Sequence, residues 1–135
     1  MESFEGIFKQ IKSEKFDDYL KEVGVNYLLR KVAGAANASI EFKNNGDGTW
    51  TFYFYSTVKN GTWRFKVGEE SEETTPDGRH VMSTITIEDG KLVHRQKAIK
   101  SGEKDSLIVR TRVGDEIHST ISCNGVVATA IDKKQ

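Results

Sequence analysis

At 135 residues the chain fits one domain, long enough to bury about two-thirds of its extended surface. Twenty basic and twenty acidic residues cancel, so no global field draws it to nucleic acid. The single cysteine, Cys123, excludes an internal disulfide, and with no CxxC or Cys/His cluster nothing reads as a metal or cofactor site.

The first segment, MESFEGIFKQ, lacks the apolar run of a signal peptide, and no stretch approaches membrane-spanning length, so a cytosolic protein is expected. On the same ground the glycosylation triplets at Asn37 and Asn60 are discounted. A first strand is expected over residues 6–11. Then Phe16, Tyr19, Leu20 and Val23 fall at i, i+3, i+4 and i+7, with Asp17 and Asp18 in the first turn, which predicts a short amphipathic helix. Gly24 can end it, and Asn26 can cap a second helix that continues from Tyr27 to Gly34. A lone helical hairpin, residues 16–35, in a chain that otherwise alternates with period two must rest on the sheet, as a lid.

From Asn45-Gly46 to Asn124-Gly125 the remaining chain carries hairpin turn signals at regular intervals. With the opening strand they predict an all-β domain of about ten antiparallel strands, hence a sandwich or a barrel. A barrel removes exposed edges, and ten strands leave a cavity where about eight would only fill with side chains. Trp50, Phe52, Phe54 and Ser56 share one strand face; Trp63, Phe65 and Val67 share another. Val81, Ser83, Ile85 and Ile87 form a third row, and Leu92, His94 and Gln96 a fourth. An inner face this mixed fits either a hydrated, ligand-filled interior or a packed barrel whose polar groups satisfy one another.

The Phe4-x-Gly6 opening, SEKFDDYLKEVGV followed by Arg30-Lys31, Ser56-Thr57-x-Lys59, GEESEETTPDGR and STITIEDGKLVHRQK occur in one order along the whole chain. In that order the sequence resembles the intracellular fatty-acid-binding proteins, in the branch with the heart, adipocyte and myelin members. The resemblance implies a ten-stranded up-and-down clamshell barrel with a helix-turn-helix lid between the first two strands. It also implies a monomer that carries long-chain fatty acids, or similar hydrophobic molecules, through the cytosol. Ligand contacts are then expected from Phe16, Tyr19 and Leu20 on the lid and from Val58 and Asp77 at the portal. Further contacts are expected from Phe54, Ser56, His94 and Gln96 on the inner face. The family's basic lid residues touch anionic membranes during transfer, a role that falls here to Lys21, Arg30, Lys31 and Lys59; such charges are otherwise a solvated helix face.

The family holds the ligand carboxylate with two arginines and a tyrosine, the latter pair in an Arg-x-Tyr motif on the last strand. The first arginine falls on Arg110, but the motif falls on Ala130 and Asp132 and is absent. Period two alone would turn Leu107, Val109, Val127 and Ile131 inward; the inward placement of Arg110 and Asp132 comes from the resemblance. The carboxylate anchor is therefore expected to be weakened, and two roles stand open for Asp132: neutralising Arg110 as an internal ion pair or through a bridging water, or recognising a hydroxyl or cationic ligand group. Large rings at Trp50, Phe52 and Phe54 would narrow the cavity, and Ser71 stands where a core phenylalanine is usual. His80, His94 and His118 are scattered and no nucleophile motif or phosphate loop occurs, so no enzyme is expected. The alternatives are a barrel for neutral lipids, or a filled barrel acting as a protein-interaction module, with Tyr53 and Tyr55 as its patch.

Overall fold

The computed structural model describes residues 1–35, 37–57 and 59–135. A 3-10 turn, Glu2–Phe4, plants Phe4 in the interior and leads into β1, Gly6–Glu14. Two helices follow, α1 (Phe16–Val23) and α2 (Tyr27–Ala35). The remaining strands are β2 (Ala38–Asn44), β3 (Trp50–Ser56), β4 (Gly61–Phe65), β5 (Ser71–Thr74), β6 (His80–Glu88), β7 (Lys91–Ala98), β8 (Ser106–Val113), β9 (Glu116–Cys123) and β10 (Val126–Lys134).

The lid forms as its sequence dictates. The residues at i, i+3 and i+4 bury Tyr19, Leu20 and Val23 against Val25, Cys123 and Ala128, which fixes α1 over β9 and β10. Gly24, at φ 108°, takes the left-handed conformation that stops α1, and its N–H reaches the carbonyls of Leu20 and Lys21. Asn26 Oδ1 accepts from the Leu29 N–H at 3.0 Å, the cap that starts α2.

The strands form one antiparallel ten-stranded sheet in the order β4-β3-β2-β1-β10-β9-β8-β7-β6-β5. At the β6–β7 and β9–β10 hairpins, Asp89-Gly90 and Asn124-Gly125 both have positive φ, the conformation that matches the twist of paired strands. β1 runs three residues past its expected end because Lys12, Ser13 and Glu14 go on pairing with β10. A register shift between Gln10 and Lys12 bends it, and Ile11 points out, 55% exposed.

The barrel does not close by hydrogen bonds, contrary to the expectation that no edges remain. No ladder joins β4 to β5 among the described residues; instead the Trp63 indole N–H donates to Ser71 Oγ across the gap at 3.1 Å. Ser71 thus ties the two edges together. Both edge strands are short, which limits what they offer to a foreign strand.

The largest core gathers Phe4, Phe8, Ile40, Phe42, Trp50, Phe52, Trp63, Phe65, Ile85, Leu92 and Ile117. The inner rows fray at their ends: Val67, past the end of β4, and Ile87, beside the β6–β7 hairpin, are 41% and 38% exposed rather than inward. On β8 and β10 pairing register overrides hydrophobic period. Ser106, Ile108 and Arg110 lie opposite Gln96, His94 and Leu92, whose side chains face in, so they face in too. Leu107 and Val109 are left partly exposed, and on β10 Val127 yields the interior to Ala128 and Asp132.

Candidate functional site

Between the core and the lid cluster lies a cavity of about 820 Å³. It touches Tyr19 and Leu20 of the lid cluster and Ile40 and Phe52 of the core. The interior is therefore open, not filled.

At one place on its wall the three adjacent strands β8, β9 and β10 present Arg110, Ser119 and Ala130 in register. Asp132 follows two residues along β10, opposite Ile117 on β9 and Gln10 on β1. The Arg110 guanidinium lies over the rings of Phe42 and Phe52, 5.5 Å from each centroid. Its Nη1 is buried with no hydrogen-bond partner among the described residues, and neither has Ser119 Oγ. Arg110 and Asp132 form no ion pair there, because β9 lies between their strands and they are offset by two residues in register. The direct pairing weighed from sequence does not occur. Burial pushes the Asp132 carboxyl up from 3.8 to about 6, with the Arg110 charge pulling the other way. Burial presses Arg110 below its ordinary value against the opposing pull of Asp132.

A second group of polar side chains crosses the interior as one directed chain. Arg79 Nη2 donates to the Tyr19 hydroxyl at 3.2 Å, and Tyr19 donates to Ser106 Oγ at 3.0 Å. Ser106 donates to Gln96 Oε1 at 2.6 Å, and Gln96 Nε2 to Glu73 Oε1 at 3.3 Å. Every donor points from the cation Arg79 towards the anion Glu73, so each bond polarises the next. Both ends have further partners, although Arg79 Nη1 finds none among the described residues. Asp77 pairs with Arg79 at 3.0 Å and also bonds the Thr75 hydroxyl. Glu73 accepts from Ser83 at 2.7 Å and from His94 Nε2 at 2.8 Å. Burial works against the ionised Glu73, but His94 and these hydrogen bonds outweigh it and hold the carboxyl below its usual range. His94 also stacks on Trp63, its ring centroid 5.2 Å away.

Of the residues expected from sequence, Arg110, Asp132, Gln96, His94, Phe16, Tyr19, Leu20, Asp77, Phe54, Ser56 and Ala130 line this one cavity. Val58 lies outside the described residues. Asp77 and Gln96 are already bonded to protein, and Ser56 Oγ donates to the Lys59 carbonyl at 2.7 Å, which shapes its turn. Trp50 packs in the core away from the cavity, so only Phe52 and Phe54 of its row narrow the space. Arg112 bonds the carbonyls of Ser3 and Gly114 and serves the fold, not the cavity. Glu73 and Arg79 were not anticipated: they sit in the charged run of residues 68–79, which reads as solvated. On the lid, Lys21 and Lys31 are exposed, whereas Arg30 is held by Asp17 at 3.1 Å and by the Val25 carbonyl at 2.9 Å.

Residues 5–135 match the sequence pattern of the Lipocalin / cytosolic fatty-acid binding protein family. The chain belongs to that family. Fatty acid-binding protein homolog 5 of Caenorhabditis elegans is 50% identical over 127 residues, 94% of this chain and 93% of that protein. Human fatty acid-binding protein 9 is 37% identical, with 99% and 98% covered. Among solved structures, Echinococcus granulosus fatty-acid-binding protein 1 superposes with a TM-score of 0.93 at 34% identity, covering 99% and 98% of the two chains. The Schistosoma mansoni fatty acid binding protein in complex with arachidonic acid gives 0.90 at 31% identity, covering 100% and 98%. The positions onto which the resemblance carries the Arg-x-Tyr motif hold Ala130 and Asp132, the acid buried and without a hydrogen bond or ion pair among the described residues.

Proposed function

We propose that this chain is a non-enzymatic cytosolic carrier whose cavity takes a long-chain fatty acid or a similar hydrophobic molecule. The observation that carries this reading is an open interior of about 820 Å³ with a buried Arg110 whose Nη1 finds no hydrogen-bond partner among the described residues. That volume is within the roughly 300–1,000 Å³ of small-molecule sites. Burying a tail of about fifteen methylenes is worth on the order of 12 kcal/mol before association costs, whereas a hydrogen bond to a charged group adds only about 1.5–3 kcal/mol. Hydrocarbon supplies the affinity and the head-group site adjusts it. The open cavity speaks against a filled interaction module. No helix among the described residues is long and apolar enough to cross a membrane, and delivery at anionic surfaces by the exposed lid lysines completes the reading.

Calorimetric titration of the delipidated protein with oleic acid and with oleyl alcohol, which share a tail, tests it. Both should bind, with affinities within about a hundredfold of each other, the range one charged hydrogen bond covers. Failure of both to bind would overturn the carrier assignment.

A further inference from the structure

Arg110, Ser119 and Asp132 are each at least nine-tenths buried and line one cavity; Arg110 Nη1 and Ser119 Oγ are buried atoms without a hydrogen-bond partner among the described residues, and no hydrogen bond or ion pair there engages the Asp132 carboxyl. Arg79 Nη1 and His94 Nδ1 of the same cavity also find no partner among the described residues, but their side chains are anchored through other atoms, Arg79 to Asp77 and Tyr19 and His94 to Glu73, whereas no hydrogen bond or ion pair holds the Arg110 guanidinium there. Burying polar groups without partners is costly, and the small side chain of Ala130 leaves space beside them. Two of the three have a fixed hydrogen-bonding sense. Arg110 can only donate, and an ionised Asp132 can only accept.

Resting on the carrier reading, we infer that this site selects head groups bringing both an acceptor and a hydrogen atom. Arg110 and Ser119 take the acceptor and Asp132 takes the hydrogen. A primary amide meets the requirement as it stands, its carbonyl towards Arg110 and its N–H towards the Asp132 carboxylate. A long-chain carboxylate has no hydrogen to bring. Two carboxylates sharing one site cannot both stay ionised, so the acid enters together with one proton, held between it and Asp132. The apo carboxyl, raised to about 6, is already poised for that uptake.

The other titratable groups facing the site do not reproduce this behaviour. Arg110 on β8 stays charged, Tyr19 on α1 is pushed up by burial, and Glu73 on β5 is held ionised by His94 on β7. β1 and β9 line the cavity with the neutral Gln10, Ser13, Ser119 and Ile121, and Arg79 is paired with Asp77. Arg110 is the one charge acting on Asp132 itself.

The test is calorimetry of the delipidated protein with dodecanoate and dodecanamide at about pH 7.5, in buffers of different ionisation enthalpy, which counts protons taken up. Dodecanoate should bind with uptake of close to one proton and dodecanamide with none. Between about pH 6 and pH 8 the affinity for dodecanoate should fall about tenfold or more, while that for dodecanamide changes by less than about threefold. In Asp132→Asn the proton uptake should vanish, the dodecanoate profile should flatten, and binding at about pH 8 should tighten about tenfold. Binding of dodecanoate by the wild type without proton uptake overturns the inference, and that measurement does not depend on the variant folding. An unchanged profile in a folded Asp132→Asn also overturns it. Absence of binding by either ligand would overturn the carrier reading, and this inference with it.

Discussion

Asp132 links the empty protein's stability to pH. Its carboxyl is raised from 3.8 to about 6 in the fold, so the folded state holds the proton more tightly than the unfolded chain. The stability this gives is full below about pH 4 and is lost as pH rises through about 6, a change of about 3 kcal/mol by neutral pH. Urea unfolding of Asp132→Asn against wild type should show the variant more stable by about 2–3 kcal/mol at about pH 7, with the difference closing near about pH 4. A constant difference across that range would mean that Asp132 does not titrate as its burial requires. Glu73 acts in the opposite sense: its lowered pKa stabilises the fold above its unfolded value, and that contribution is lost on acidification. These two acids mark where residue-scale reading of the sequence stops. Valines at 109 and 127 outweigh Arg110 and Asp132 in any hydrophobic count, yet register with β7 and β9 decides which side faces in. Glu73 lies among acidic neighbours, and only its pairing with the buried Val81 shows that it points inward.

At the scale of elements the sequence was most informative where a local rule applies. The i, i+3, i+4 row, Gly24 and the Asn26 cap account for both helices, and Asx-Gly pairs account for the hairpins. The missing β4–β5 ladder had no such signal, since strand spacing does not say which neighbours bond. Nor did the way the lid is fastened. α1 is tied to the barrel by apolar packing, by the Tyr19 hydroxyl, which joins Arg79 to Ser106 in the interior, and at its outer end by Glu22 and the Val23 carbonyl, which accept from Lys104 and Asn124. Tyr19→Phe keeps the ring stacked on Phe16 but removes that link, leaving Arg79 Nη2 and the Ser106 hydroxyl each short of a partner. The expected cost is about 1–3 kcal/mol in urea unfolding. Because the broken link lies between α1 and the strands, amide exchange should quicken in α1 while the β6–β7 ladder keeps its protection. Uniform quickening would instead place Tyr19 in the global core.

For the molecule as a whole, net charge is zero, so attraction to a surface depends on where charge sits. On the lid, α2 turns Tyr27, Leu28, Leu29 and Val32 to solvent, 60%, 75%, 48% and 47% exposed, and Lys31 stands beside them over the Tyr27 ring. Lys21 on α1 and Lys59 after β3 are exposed as well. An apolar row bordered by lysines suits the interface of an anionic bilayer, each basic residue contributing about 1 kcal/mol there. Arg30, named with them from sequence, is bound to Asp17 and the Val25 carbonyl and has little charge to offer outward. Transfer of a fluorescent fatty acid to phosphatidylserine vesicles should therefore slow about tenfold or more when Lys21, Lys31 and Lys59 are all replaced by glutamine. Transfer to phosphatidylcholine vesicles should stay the same. Arg30→Gln alone should slow transfer by less than about twofold, because its charge is already paired. Equal rates for the triple variant and the wild type on acidic vesicles would leave the exposed face of α2 for apolar contact alone, and would remove charge from the account of delivery.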